Sequence, residues 1–475
     1  MPLVITLDLL VIASLCVSVF RRGFEETLPL AAFLVVLFPS ESQIPIPGLF
    51  ELTTQRIIVV VLLCLYLSSR KKKSPADLSS NKLPLRFLIL AQIAWMTVAT
   101  LNSFVFTVSL KTLLSQLLDY YLAFYIFGKS ISSVKTVNKI LTGIVAAMFI
   151  CSVFGVIEAR QGWSILSIFP APTHPFGTDL GGENYRGVRI QSTFSHPILY
   201  GAALAMAIPM ALYLISLAKT TKQKVFLWGA VLLMFMNIYK TGSRGPWLAA
   251  VMSLVLLVVL GRGLMRRYVI VIVLLAATTL IVRPGVWDTI SSLYGATLDP
   301  ESPQGESYQW RYALYDLAFQ HLNHDLGRAV WGYGPESFSY LGWQGVFDVG
   351  EFKGKTVTFT SCDSSIAQLM IETGYVGLLI VALMLLTVGI ITLRNCFRLP
   401  KPANNLCVVL FANICAFCFM MTNVAIWGWG QQTYMLWVIV AIAMIYPRLI
   451  RAETISDGKQ TASSVELPSV KPSWA

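Results

Sequence analysis

The stretch "NIYKTGSRGPWLAA" (residues 237–250) joins two apolar runs. One ends at Tyr239 and the next begins at Pro246. Between them stand a lysine, two glycines, a serine and an arginine. So short a polar turn between two greasy segments is the signature of a helical hairpin in a bilayer. The pattern recurs along the chain. Runs of about 15–22 apolar residues fall near 4–20, 25–39, 56–69, 87–106, 110–128, 139–157, 197–217, 225–239, 246–261, 268–283, 364–393, 406–424 and 432–447. Most are close to the ~20 residues a helix needs to cross the hydrocarbon core; several are short, and the 364–393 run is long enough to tilt or to contain a break. Hydrophobic residues make up 56% of the 475 and charged residues 13%, and mean hydropathy is +0.67, far from the balance of a soluble domain. Backbone groups in lipid must be satisfied internally, and no run alternates with period two, so helices are expected rather than a barrel. The reading is an all-α integral membrane protein, a bundle of 12–13 transmembrane helices. The first run lacks a basic start and a clear small-residue cleavage site and is read as an anchor.

Lysines and arginines concentrate in loops at every second crossing, as cytoplasmic loops do. "RKKKSPADLSSNKLPLR" (70–86) is the strongest cluster. Others are Lys129 with Lys135 and Lys139, "KTTKQK" (219–224), "GRGLMRR" (261–267), "RNCFRLPKP" (394–402), and Arg448 with Arg451. This parity accounts for the formal charge of +12 and argues against a nucleic-acid partner. The eight cysteines lie mostly in spans, with Cys362 in an outer segment, so no disulfide framework is implied. No HExxH pattern occurs, and the one CxxC, Cys415–Cys418, lies inside an apolar run rather than in a loop, so no metal or cofactor is expected.

The organisation follows from the alternation. N-terminal spans occupy 1–157, an extracytoplasmic loop 158–196, and central spans 197–283 with the Ser-Arg-Gly turn. A large extracytoplasmic loop with short helices covers 284–363, C-terminal spans 364–447, and a cytoplasmic tail of disordered composition 448–475. All four histidines (His174, His196, His321, His324) fall in the two long outer loops, which exceed what a connector needs.

Lys240 and Arg244 therefore lie outside, against the positive-inside trend. A lone arginine at a helix end often only snorkels to the headgroups. Here Gly242 and Gly245 permit positive φ and close backbone approach, and Pro246 suits the first turn of the next helix. A cation beside a helix N-terminus is a place to hold phosphate. A second cationic edge lies in "NYRGVRIQSTFSHPILYG" (184–201), where Arg186 and Arg189 precede a span with His196 at its mouth. The planar guanidinium fork suits phosphate, although interfacial anchoring is the plain alternative.

In the large loop, "QWRYALYDLAFQHLN" (309–323) reads as an amphipathic helix. Trp310, Leu314, Leu317, Ala318 and His321 share one stripe, and Arg311 lies in the first turn. "WGYGPESF" (331–338) follows as a turn. The loop closes on "TSCDSSIAQLMIETGYVGLL" (360–379). Asp363 stands just before a span, as a functional carboxylate or a helix N-cap. Glu372 lies further along the same helix, functional or structurally paired. Gly374 and Gly377 are expected to admit another helix. Asp119 in "LLSQLLDYYLAFYIF" is a further carboxylate at membrane depth, with an arginine from the outer edge as the natural partner.

Four features occur in order: an arginine before "FSHP" opening a span, "SRG" opening a later one, "WRYAL…GYGPESF" in a large outer loop, and D-x(8)-E-x-G-x-x-G entering the next span. The set, over roughly 185–380, resembles the O-antigen ligase and polysaccharide polymerase family of polytopic bacterial glycosyltransferases. The resemblance implies transfer of a glycan from an undecaprenyl-pyrophosphate carrier to an acceptor glycan or lipid core. The reaction would be inverting and metal-independent, on the outer face of the cytoplasmic membrane. Chain-length regulator or export proteins would be further partners. It also implies that Arg189 and Arg244 hold the pyrophosphate leaving group. Asp363, Arg244 and Arg189 are then the catalytic candidates, and Arg186, Lys240, Arg311, His196, His321 and Glu372 the substrate-binding ones. Ligases of the family carry a histidine where this chain has Asp363, which favours the polymerase branch over a ligase. His196, His321 and His324 stand as alternative bases. A flippase would favour charges deep in several spans and internal repeats, and a scaffold would use the long loops for partners. The observed polar residues concentrate at outer span ends.

Overall fold

The computed structural model describes residues 2–46, 48, 51–70, 83–169, 189–282, 284–299, 302–346, 355–359 and 362–463. Helices α1 (Pro2–Arg22), α2 (Leu28–Leu37) and α3 (Thr54–Arg70) come first. The turn between α2 and α3 carries a two-residue antiparallel hairpin of β1 (Gln43–Ile44) and β2 (Leu52–Thr53). Next come α4 (Arg86–Leu101), α5 (Phe106–Gln116), a π-helical turn at Leu117–Tyr121, α6 (Leu122–Ser130) and α7 (Val134–Gln161). The centre is α8 (Pro197–Leu217), α9 (Thr221–Lys240), α10 (Arg244–Leu260) and α11 (Leu264–Val282). The long segment contains α12 (Pro284–Leu298), α13 (Pro303–Asn323), α14 (Leu326–Trp331), α15 (Phe338–Leu341) and the antiparallel strands β3 (Gln344–Val346) and β4 (Thr356–Thr358). The chain finishes with α16 (Ser365–Arg398), α17 (Asn404–Met421) and α18 (Gln431–Ser463).

Each expected span falls largely on helix, although 87–106 runs past the end of α4 at Leu101 and 406–424 past the end of α17 at Met421. Among the described residues, six helices are long and apolar enough to cross a membrane by themselves: α1, α7, α8, α16, α17 and α18. α8 is the hub of the bundle. It is nearly all buried, apolar on every side, and packs against α7, α9, α10 and α17. α1 instead exposes Leu9, Leu10, Val17 and Phe20, as a lipid-facing helix does. A second, smaller core lies under the long segment. There Leu314, Leu317, Ala318 and Leu322 of α13 meet Phe338, Trp343, Phe359 and Ile371, so the predicted stripe is the buried face of α13.

The long run near 364–393 contains the break that its length allowed: Gly374 sits at φ 68° and ψ −178°, so α16 breaks just after Glu372. Two expectations are corrected. α18 continues past residue 447 to Ser463, so the start of the tail is helical rather than disordered; residues 464–475 lie outside the described residues. Asp363 is not a helix cap. Ser364 caps α16, its Oγ accepting from the Ala367 N–H at 3.4 Å.

Candidate active site

The Ser-Arg-Gly turn is closed by aromatics. Tyr239 stacks on Trp247 with centroids 5.5 Å apart, and Trp247 Nε1 donates to Ile238 O at 2.8 Å. Gly242 takes φ 59°, as expected, and turns the chain into α10. Gly245 does not need that freedom; it is the second residue of α10. Arg244 is the first, half-buried where backbone N–H groups point out of the helix end.

Arg189 arrives from a segment 55 positions earlier and is seated on the same turn. Its Nε donates to Thr241 O at 3.1 Å and its Nη2 to Ser243 Oγ at 2.9 Å. Ile190 N–H donates to Lys240 O at 3.3 Å. The two cationic edges read from the sequence thus converge on one turn. The Arg189 segment is anchored from below by Glu158, a buried carboxylate at the end of α7. Its Oε2 accepts from Gln191 N–H at 2.8 Å and Ser192 N–H at 2.6 Å. Ser192 sits at φ 55°, and its Oγ donates to Cys151 O at 2.7 Å. His196 plays a structural part, because its Nδ1 caps α8 by accepting from Ile198 N–H at 3.0 Å. Lys240 is exposed at the end of α9. Arg186 and His174 lie outside the described residues.

The carboxylate end is built around the break at Gly374. A helix interrupted here leaves carbonyls that must find other donors. Ile371 O accepts from Tyr333 N–H at 2.9 Å and Glu372 O from Gly334 N–H at 2.9 Å. Thr373 O accepts from Trp95 Nε1 at 2.8 Å. The "GYG" of the long segment therefore docks into the break. A Cβ on Gly374 would lie 2.2 Å from Val330 O, and one on Gly332 2.6 Å from Glu372 O, so the two backbones touch. What Gly374 admits is the short helix α14, as the sequence suggested in kind. Gly377 admits Trp95 of α4, beside Thr373 of its own helix.

Asp363 is half-buried just before α16. Burial raises its carboxyl above the ordinary range, and the charge of Arg311 on α13 works against that rise. Tyr315, one turn beyond Arg311, shares a 2.6 Å hydrogen bond with Ser364 Oγ, which fixes α13 against the start of α16. Glu372 is buried and accepts from Gln368 Nε2 at 3.2 Å. The His321 ring lies tilted against Trp343 with centroids 4.3 Å apart; burial first and His324 second lower its pKa. His324 is exposed past the end of α13.

The loop between α17 and α18 joins the arginine turn to the carboxylate. Gly245 faces Met420 and Asn423, where a Cβ would sit 3.5 Å from each. Ser364 Oγ donates to Met421 O at 3.2 Å, and Ser365 Oγ to Val424 O at 3.0 Å. Ser365 Oγ also accepts from Ile426 N–H at 2.7 Å and Trp427 N–H at 2.9 Å. Gln431 Nε2 donates to Thr193 O at 2.6 Å, reaching the Arg189 segment. The end of α17, the loop after it and the first residue of α18 thus abut the neighbours of Arg244, Asp363 and Arg189 together.

Residues 229–382 match the sequence model of the O-antigen ligase family. The chain carries an O-antigen ligase domain. No curated protein matches it. The assignment to the O-antigen ligase and polymerase family, made from the ordered motifs, is supported, and with the apolar helices it points to a bacterial inner-membrane protein that handles glycans. The O-antigen ligase match covers about a third of the chain and includes Lys240, Arg244, Arg311, His321, Asp363 and Glu372. It leaves out Arg189 before it and the 422–431 loop after it, which the fold brings back to the same place.

Sequence reasoning missed three supports of this candidate site. Glu158 closes an apolar span and gave no signal beyond its being a charge at a span end. Trp95 looked like any span aromatic. "TNVAIWGWGQQ" (422–432) is a short polar link whose two glycines, Gly428 and Gly430, both take positive φ; that glycine pair was the available clue. Asp119 pairs with Arg56 at 3.0 Å, as expected of a carboxylate at membrane depth, and lies on the π-helical turn.

Proposed function

We propose that the protein is a glycosyltransferase that polymerises a glycan delivered on undecaprenyl pyrophosphate, working on the outer face of the inner membrane. The observation that carries this is the seating of Arg189 on the turn that presents Arg244 at the mouth of α10. Two guanidinium groups and a helix N-terminus form a fixed positive site for a pyrophosphate. Charge grows on that group as the glycosidic bond to it breaks, and preorganised cations stabilise it most at that moment. No metal is required in this scheme. Asp363 accepts the proton of the acceptor hydroxyl; its raised pKa strengthens it as a base. The hydroxyl oxygen attacks the anomeric carbon from the side opposite the pyrophosphate, which inverts that centre. The charge of Arg311 favours the ionised form of Asp363 against the effect of burial.

A carboxylate at position 363, where ligases of the family carry histidine, favours polymerisation over transfer to a lipid core. The test is the product formed by the purified protein from lipid-linked repeat units. A ladder of lengthening chains is expected. A single glycan moved onto a lipid core, with no ladder, would make the protein a ligase. Unchanged lipid-linked units appearing on the opposite leaflet would make it a flippase.

A further inference from the structure

The end of the bundle opposite the arginine turn holds a second polar site. A cleft of about 250 Å³ opens between the last turn of α8, the α10–α11 turn and the start of α17. Tyr213, Ser216 and Leu217 form one wall, Gly263 and Met265 another, and Asn404 and Asn405 the floor. Arg262 and Lys401 stand at its rim, both exposed. The site is held in shape. Asn405 Oδ1 accepts from Arg262 N–H at 3.2 Å and its Nδ2 donates to Arg262 O at 3.3 Å, so one amide grips both sides of that residue's backbone. Gly263 at φ 65° turns the chain directly after it. Asn404 Nδ2 donates to Cys396 O at 3.3 Å, and Tyr446 Oη to Ala403 O at 3.0 Å.

The electrostatics are one-sided. The three segments around the cleft, 216–224, 260–268 and 393–405, contain nine lysines and arginines and no aspartate or glutamate. Acidic residues at this end are used elsewhere. Glu25 accepts from Ser132 N–H and Thr136 Oγ1, Glu26 pairs with Lys139, and Glu453 accepts from Val134 N–H. The rim sits where α8 and α10 end, at the level where an apolar bundle meets water.

We propose that this cleft binds the phosphate headgroup of an anionic glycerophospholipid of the adjoining leaflet. Arg262 and Lys401 receive the phosphate, and the acyl chains lie along the apolar flanks of α11. The field of the surrounding cations draws the lipid in, and the cleft fixes one molecule. The proposal does not depend on the reaction at the other end.

The test uses the purified full-length chain in a neutral detergent. Phosphatidylglycerol, phosphatidylcholine or inorganic phosphate is added, and bound adducts are counted by native mass spectrometry. One phosphatidylglycerol is expected to bind well ahead of phosphatidylcholine. Arg262→Gln with Lys401→Gln should weaken it about thirtyfold, from the loss of two near-surface cations. Arg266→Gln with Arg267→Gln removes equal charge from the same end but not from the rim, and should weaken it by only about threefold. Ser216→Trp keeps every cation and fills the cleft, and should also exclude the lipid; it guards against a charge variant that fails to fold. Wild-type binding by either cleft variant overturns the proposal. Equal loss in the two double variants does so too, because a diffuse field then suffices. If inorganic phosphate displaces the lipid at equal concentration, the cleft is a phosphate site and not a lipid one.

Discussion

Helix α10 begins and ends beside an arginine in a glycine-containing turn, and the two ends are built in opposite ways. At Arg244 the turn receives a second guanidinium from far away in the sequence, and the bonds grip that side chain itself. At Arg262 the bonds from Asn405 grip the backbone, and the side chain stands exposed at a rim. Fixing a guanidinium head suits chemistry, where charge must be met at a set place. Fixing only the peptide and leaving the head mobile suits a fluid headgroup, whose position varies. Charge count alone does not separate the two ends; what is held does.

The comparison can be broken most sharply at its first term. Arg189→Ala and Arg244→Ala should each lower polymer formation from lipid-linked repeat units by about 10²–10³-fold, the usual loss when a preorganised charge-stabilising donor is removed. Arg189→Lys keeps the charge but loses the fork and should recover only a small part. The pair Arg266→Gln and Arg267→Gln, at the opposite end, should stay within about twofold of wild type, because a charge beyond a Debye length is screened. Full activity in both arginine variants would sink the pyrophosphate site.

Gly374→Ala should cost about 3 kcal/mol or more of stability, read as thermal unfolding in detergent, from a strained φ together with overlap on Val330 O. Glu158→Ala strands two buried N–H groups and should cost about 2 kcal/mol while releasing the Arg189 segment to protease; Glu158→Gln keeps an acceptor and should recover most of both. Unchanged protease resistance in the alanine variant would remove Glu158 from the construction of the site.

The acid limb of the rate tests Asp363. Its folded pKa is raised, so activity should fall as pH drops through a value above the ordinary carboxylate range. Arg311→Ala removes the opposing charge, raises that pKa further and should move the limb to higher pH. A limb that stays in place would separate Arg311 from Asp363. The smallest effect contrasts two glycines of one turn. Gly242→Ala meets a positive φ and the Arg189 side chain at 3.2 Å and should cost about 1 kcal/mol. Gly245→Ala is helical with ordinary contacts and should stay within about 0.5 kcal/mol of wild type.

Much of this was legible in the sequence because membrane helices write themselves as apolar runs and their loops as charge. The positions of all thirteen runs, the stripe of α13 and the positive φ of Gly242 could be read that way. Convergence could not. That Arg189 lies on the Thr241–Ser243 turn depends on packing of α7, α8 and α9 around Asn237, whose amide bonds Ser152 O and Tyr200 Oη. That the long 364–393 run could break was legible, but its place was not, because "ETGYVGLL" carries enough apolar residues to pass as helix; the donors from Tyr333, Gly334 and Trp95 make the break tolerable. Glu158 and the 422–431 link give little hydropathic signal, since one carboxylate or one short polar loop barely changes a window average.

The loop between α17 and α18 has a practical bearing on engineering. Exchanging residues 229–382 between relatives would carry Arg244 and Asp363 across but leave behind Arg189 and the loop that Ser364, Ser365 and Gly245 rest on. Such a chimera would join a donor's reacting groups to a recipient's supports. Transplanting specificity therefore requires three pieces to travel together: 189–196, 229–382 and 422–431.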